Sequence, residues 1–357
     1  MLPCMSDAVS VKAALSDPSD RGAYFEQRLF ILSPLGTFAT AAVLFLCLMA
    51  WFLAAALGEG VALVTHDTAG NIQIESVLRI AFTLALMLCA ALFIQRYTRI
   101  QERKDKPAFA EVLRPGTLES RYLTALTPPG ARLPVFTAIG AVIGILVSWP
   151  LFGQAMLTAE RPAYATFVWF LIVDTLLITS FTRGVELSRA GSLSMARAID
   201  NDLVVDLLRI DLLSVWGRSA ARFALIWFTV SAVACLFFIG NGLNAFTIAM
   251  LATFLALGVW MFIRPMERVH HKIRETKAVE LERVRREIDQ IRTAAVTDAN
   301  AATRLQGLLA YETRISAAPE WPFDQTTLFR VCASALILSV PWFGQAVAQF
   351  AIEHLAQ

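Results

Sequence analysis

The octapeptide S-W-P-L-F-G-Q-A at Ser148 to Ala155 returns as S-V-P-W-F-G-Q-A at Ser339 to Ala346. Six of the eight positions are identical, and three aliphatic residues precede each copy. Both copies sit in apolar stretches about as long as a membrane crossing, so the pair reads as a duplicated membrane helix. Pro, Gly and Gln are poor filler for a lipid-facing helix, and internal duplications often build the substrate site of a transporter at their interface.

Working outward from the two copies, the chain has 357 residues, of which 57% are hydrophobic. That exceeds the apolar share of globular proteins and predicts an all-α integral membrane protein. Seven stretches reach or approach the roughly 20 residues that cross a ~30 Å hydrocarbon core. They lie near 37 to 57, 77 to 95, 133 to 153, 164 to 182, 220 to 240, 243 to 263 and 328 to 352. Placing the N-terminus in the cytoplasm puts all but Arg79 and Arg161 of the 31 Lys and Arg on the cytoplasmic side. Seven crossings then leave Gln357 outside. The excess of Arg over Lys and the abundance of Ala suggest a bacterial inner (plasma) membrane protein.

Shorter matches accompany the octapeptide in the same order. RLFILSPLG at Arg28 to Gly36 parallels RIDLLSVWG at Arg209 to Gly217, and AFTLA at Ala81 to Ala85 parallels AFTIA at Ala245 to Ala249. Gly58-Glu59-Gly60 and Gly240-Asn241-Gly242 close the first and fifth spans alike. Chance alone can produce the shorter matches in apolar sequence, whereas Pro, Phe, Gly and Gln agreeing in register is harder to obtain by chance. The implied plan is a parallel 3+1+3 internal repeat. A tail at 1–27 precedes a first three-helix repeat at 28–155 with a basic cytoplasmic loop at 96–133. A linking span and juxtamembrane amphipathic helix occupy 156–208, and a second repeat covers 209–357. Parallel repeats about an axis along the membrane normal resemble the organisation of SWEET transporters, in plan only, since none of that family's sequence motifs occurs here.

Proline lacks a backbone donor and displaces the carbonyl four residues back, so kinks are expected at Pro150 and Pro341 with Leu146 and Ile337 carbonyls freed. Gly153 and Gly344 permit close approach, and Gln154 and Gln345 add an amide on each copy. Ser148 and Ser339 would support the kinks. A repeated packing joint explains these residues as well as a solute or ion site does, and Gly140-x-x-x-Gly144 just upstream favours close helix contact in either case. Asp174, near the middle of TFVWFLIVDTLLITSF, is the other residue that asks for a reason. A charge there costs ~2.5 to 3.5 kcal/mol on insertion scales. A proton or cation relay and a neutral carboxyl bonded to a neighbour are the two readings.

The largest polar segment, 266–317, is charge-rich with heptad-like apolar positions at Val269, Ile273, Leu281, Val284, Ile288 and Ile291. Thr297 or Asp298 can cap a second helix, giving an antiparallel, coiled-coil-like cytoplasmic hairpin. Its stripes can bury each other or serve a homo-oligomer or a cytoplasmic partner. No phosphate loop, HExxH, GxSxG or potassium-filter sequence occurs, so no enzyme activity and no cofactor is expected. The five cysteines fit no metal-site or disulfide pattern, and adjacent His270 and His271 point about 100° apart on a helix. Asp200, Asp202 and Asp206 lie beside Arg197 and Arg209, which reads as an amphipathic face rather than a metal loop. A net charge of +2 argues against nucleic acid and leaves the lipid bilayer as the principal partner. The reading is a channel or secondary transporter for an ion or small solute, with a polar site between the kinked third and seventh spans and Asp174, Gln154, Gln345, Ser148 and Ser339 along its pathway. Its rival is a scaffold or sensor subunit that recruits a partner through the hairpin.

Overall fold

The computed structural model describes residues 25–66, 72–115, 132–158, 161–236, 245–296 and 298–322, with 326, 329 and 331–333. Nine α-helices occur among them: α1 Phe25–Leu32, α2 Gly36–Gly58, α3 Ser76–Val112, α4 Arg132–Ser148, α5 Gln154–Leu157, α6 Tyr164–Asp202, α7 Ser214–Cys235, α8 Ala245–Arg292 and α9 Ala299–Ser316. Two short strands, β1 Val64–His66 and β2 Ile72–Ile74, pair antiparallel with Thr65 opposite Gln73. They lie in the loop after the first span, where β-branched Val64, Thr65, Ile72 and Ile74 favour a ladder.

Five helices among the described residues are long and apolar enough to cross a membrane: Gly36–Gly58, Ser76–Val112, Arg132–Gly153, Tyr164–Glu186 and Ile210–Cys235. The chain is therefore a helical, multi-pass membrane protein. The sixth expected stretch, 243 to 263, opens α8, which continues without interruption into its charged half. The seventh, 328 to 352, lies almost wholly outside the described residues, as do Ser339, Pro341, Gly344 and Gln345.

Described residues within Met1–Lys104, Leu123–Gly191 and Thr229–Leu251 form one compact unit. Its apolar centre is aromatic: Phe52 of α2 meets Trp169 and Phe170 of α6 at 5.0 and 5.9 Å between ring centroids. Trp169 satisfies its indole N–H by donating to the Leu48 carbonyl at 2.9 Å, which lets so large a side chain be wholly buried. α2 stops at Gly58-Glu59-Gly60, where Gly60 takes a positive φ of 71° that only glycine adopts freely. Glu59 then reaches the first turn of α6. Its carboxylate accepts from the Ala165 and Thr166 amides at 2.5 and 2.9 Å and from the Thr166 hydroxyl at 2.8 Å. Burial disfavours the charged carboxyl, but these three donors outweigh it and hold Glu59 below its ordinary value. A carboxylate at a helix N-terminus is also favoured by the helix dipole.

The second unit takes described residues from Asp105–Tyr122, Ser192–Phe228 and Ala252–Gln357. Trp216 of α7 and Phe109 of α3 meet edge to face at 4.9 Å, surrounded by Ile199, Leu213, Met266 and Ile273. Asp105 and Arg222 form an ion pair of 2.6 Å that is mostly shielded from solvent. The apolar stripe of α8 at Met266, Val269, Ile273 and Val284 is buried, and Ile315 of α9 joins it. Asp298 caps α9 through its side chain, accepting from the Asn300 amide at 2.9 Å. α8 and α9 run antiparallel: Glu280 accepts from the Tyr311 hydroxyl, Arg285 donates to Glu312, and Arg304 faces Glu287. Lys277 donates to the Ser316 and Ala318 carbonyls, satisfying the C-terminal end of α9.

Candidate functional site

The candidate site lies in the first unit, where α4 packs antiparallel against α6. Gly140, Gly144 and Ser148 recur every four residues and so form one stripe of α4, and all three are buried. A Cβ on Gly144 would lie 2.6 Å from the Thr175 Cα, and one on Gly140 would collide with the Thr182 hydroxyl. No larger residue fits while the helices stay this close. The Thr182 hydroxyl lies 3.2 Å from the Phe136 carbonyl across the interface and 3.0 Å from the Ile178 and Thr179 carbonyls of its own helix, so its one proton is shared among these acceptors.

Ser148 ends this stripe opposite Asp174. The Ser148 Oγ lies 2.7 Å from Asp174 Oδ2 and 2.8 Å from the Gly144 carbonyl oxygen. Ser148 is wholly buried and Asp174 is 6% exposed. Among the described residues no basic side chain forms an ion pair with Asp174, and Ser148 is the one side chain bonded to it. The neighbouring Thr175 Oγ1 is buried without a hydrogen-bond partner among the described residues. The site is thus a carboxyl, two hydroxyls and a carbonyl enclosed by apolar helix faces.

Beyond Ser148 the helix responds to Pro150 by widening. Trp149–Gly153 forms a π-turn, closed by the Gln154 amide donating to the Trp149 carbonyl five residues back. Where a kink is expected at Pro150, the structure has this π-turn, a local insertion frequent at functional sites. A Cβ on Gly153 would lie 3.0 Å from the Phe167 ring of α6, close enough that the ring would have to give way slightly. Gln154, six residues beyond Ser148 and so off the stripe that carries it, is exposed. Pro150 is exposed too. The structure brings together Ser148, Gly153 and the α6 face bearing Asp174, and leaves Gln154 apart from them.

Two relations escape a reading of the sequence alone. Such a reading assigns Ser148 to the kink and gives Asp174 no partner, although Gly140 and Gly144 opposite Thr179 and Thr175 hold the register that joins them. It also places Glu59 only in a turn. Elsewhere, His271 is exposed, but His270 stacks on Trp321 at 4.3 Å and its Nδ1 lies 2.9 Å from the Glu320 carbonyl. Asp200 is paired with Arg268 at 2.8 Å and Asp206 accepts from the Leu208 amide. Among the described residues no group of three or more His, Cys, Asp or Glu side chains is placed to hold a metal ion.

Comparison with protein-family models, with curated proteins and with solved structures finds no match to this chain.

Proposed function

We propose that this multi-pass membrane protein is a channel or secondary transporter that moves an ion or small solute, with Asp174 as its exchanging group and Ser148 as that group's partner. One observation carries the reading: a carboxyl near the middle of the Tyr164–Glu186 span is buried, has no ion-pair partner among the described residues and is bonded to the serine that opens the repeated octapeptide. Keeping such a group in a membrane helix is costly, and the default reason for retaining one is function. Within this proposal the chain has seven spans in a parallel 3+1+3 repeat, in the inner membrane of a bacterium. Its N-terminus and the 266–317 hairpin are cytoplasmic and its C-terminus is outside. It has no catalytic activity of its own.

A second reading is favoured by the contact of Gly140 and Gly144 with α6: a dry packing joint in a scaffold whose hairpin recruits a partner. The test is uptake into vesicles containing the purified protein, with Na⁺, K⁺, Cl⁻ and proton gradients imposed in turn, against Asp174→Asn. Asparagine keeps the shape and removes the exchangeable charge. Transport is supported by a flux that the variant loses. Wild-type vesicles that pass nothing more than empty ones give the scaffold reading its case.

A further inference from the structure

The transport reading leaves the exchanged species open, and the hydrogen-bond geometry at Ser148 narrows it. The Ser148 hydroxyl has one proton and two oxygens in reach, Asp174 Oδ2 at 2.7 Å and the Gly144 carbonyl at 2.8 Å. It serves one of them at a time. If Asp174 is a carboxylate, its four lone-pair sites have only that one donor among the described residues, in a buried setting, which leaves them badly undersatisfied. A proton on Oδ2 resolves the count. Asp174 then donates to Ser148 Oγ, Ser148 donates to the Gly144 carbonyl, and each hydroxyl proton in the chain has an acceptor.

A metal cation does not fit as well. Sodium or potassium would need several oxygens opened around it, whereas Ser148 already touches both of its partners. Gly144 lies so near the Thr175 backbone that the helices have no slack to yield. Among the described residues no other charge at this level stands in for the proton. At this level α4 offers Gly144 and Ser148. The residues of α2 and α3 packed on the adjoining face of α6 include Phe52, Leu84, Ala85 and Leu88, all apolar. Arg79 lies in the first turn of α3, and Arg183 and Glu186 stand more than two turns further along α6 than Asp174.

We propose that the species exchanged at this site is a proton, carried on Asp174 and held in line by Ser148 and the Gly144 carbonyl. The step is a transfer of H⁺ alone: the acid gives its proton to a water molecule that reaches the site, leaving a carboxylate and a hydronium ion, and the Ser148 hydroxyl turns from the Gly144 carbonyl to donate to the carboxylate. This rests on the transport reading, and two measurements on the full chain separate the failure of one from the failure of the other. The first is the infrared difference spectrum of wild type minus Asp174→Asn near neutral pH, with deuterium oxide exchange to mark carboxylic acids. The second is internal pH, beside sodium and potassium uptake, in vesicles driven by a membrane potential. Gel filtration and helix content check that the variant folds, and Asp174→Glu serves as a second variant that keeps the acid.

The expected result is a carboxylic-acid band in the difference spectrum. A proton flux should accompany it that falls about tenfold in Asp174→Asn and survives in part in Asp174→Glu. A carboxylate band in place of the acid band overturns the proposal. Sodium or potassium flux that depends on Asp174, without a change of internal pH, overturns the proton assignment and leaves the transport reading standing. An acid band with no flux of any ion overturns transport, and proton exchange with it.

Discussion

The α4–α6 pair and the α8–α9 pair are both antiparallel, and they close on opposite chemistry. α4 and α6 meet through glycines against threonines, backbone nearly touching backbone, with one buried Ser–Asp contact. α8 and α9 meet through a buried apolar stripe edged by long charged side chains, several of them mostly exposed. Hydrocarbon tails are as apolar as leucine, so helices in a bilayer gain little from hiding apolar surface and associate through close contact and buried polar bonds. In water the apolar stripe supplies the drive and the ion pairs at its edge contribute little. The difference teaches where substitutions should hurt: at the smallest residues of the first pair, and at hardly any surface charge of the second.

Gly144→Leu should break the comparison most severely. Its side chain would enter the Thr175 backbone, and forcing the helices apart should cost about 3 kcal/mol or more, seen as loss of folded protein or of thermal stability in detergent. Ser148→Ala should cost about 1 to 3 kcal/mol, because it leaves the Asp174 carboxyl buried without its partner. Both effects belong to the first pair, and equal tolerance of Leu at Gly144 and at an exposed hairpin position would erase the contrast.

Glu59→Gln tests a tertiary cap within the same unit as α4 and α6. Losing the charge at the start of α6 should cost about 0.5 to 2 kcal/mol, the size of a helix-cap removal. The pH dependence has a definite sign. The carboxyl is held below its ordinary value in the folded chain, so its contribution is complete above that value and is lost as pH falls through the lower, folded one. Thermal melts of wild type and Glu59→Gln should therefore converge under acid conditions and separate towards neutrality.

The smallest effects are expected in the hairpin. Gly307 on α9 faces open space, so Gly307→Ala should be neutral or stabilise by up to about 1 kcal/mol through helix propensity. Arg285→Ala removes an exposed pair with Glu312 and should cost only about 0.2 to 1 kcal/mol. Chemical denaturation followed by helix content reads both.

Long uncharged runs such as Gly36–Gly58 announce a membrane helix by length and composition, properties that belong to single segments. Asp298 is legible as a cap for the same reason, since a cap acts within its own turn. Asp174 is legible as an anomaly because its surroundings in sequence are apolar. Its bond to Ser148 is not, because it depends on which face of α4 meets which face of α6. The octapeptide shows how thin the margin is. A proline can be absorbed in more than one way, and here it sits in a π-turn, with Gln154 exposed just beyond it. The strand pair after α2 is hidden because three-residue strands form only against each other.

If function resides in the α4–α6 joint and not in the hairpin, one experiment shows the division directly. Initial proton flux should be measured side by side in vesicles carrying wild type, Asp174→Asn and Arg285→Ala at matched protein content. The predicted result is a fall of about tenfold for Asp174→Asn and a rate within about twofold of wild type for Arg285→Ala. Equal flux in wild type and Asp174→Asn, or a loss confined to Arg285→Ala, would contradict it.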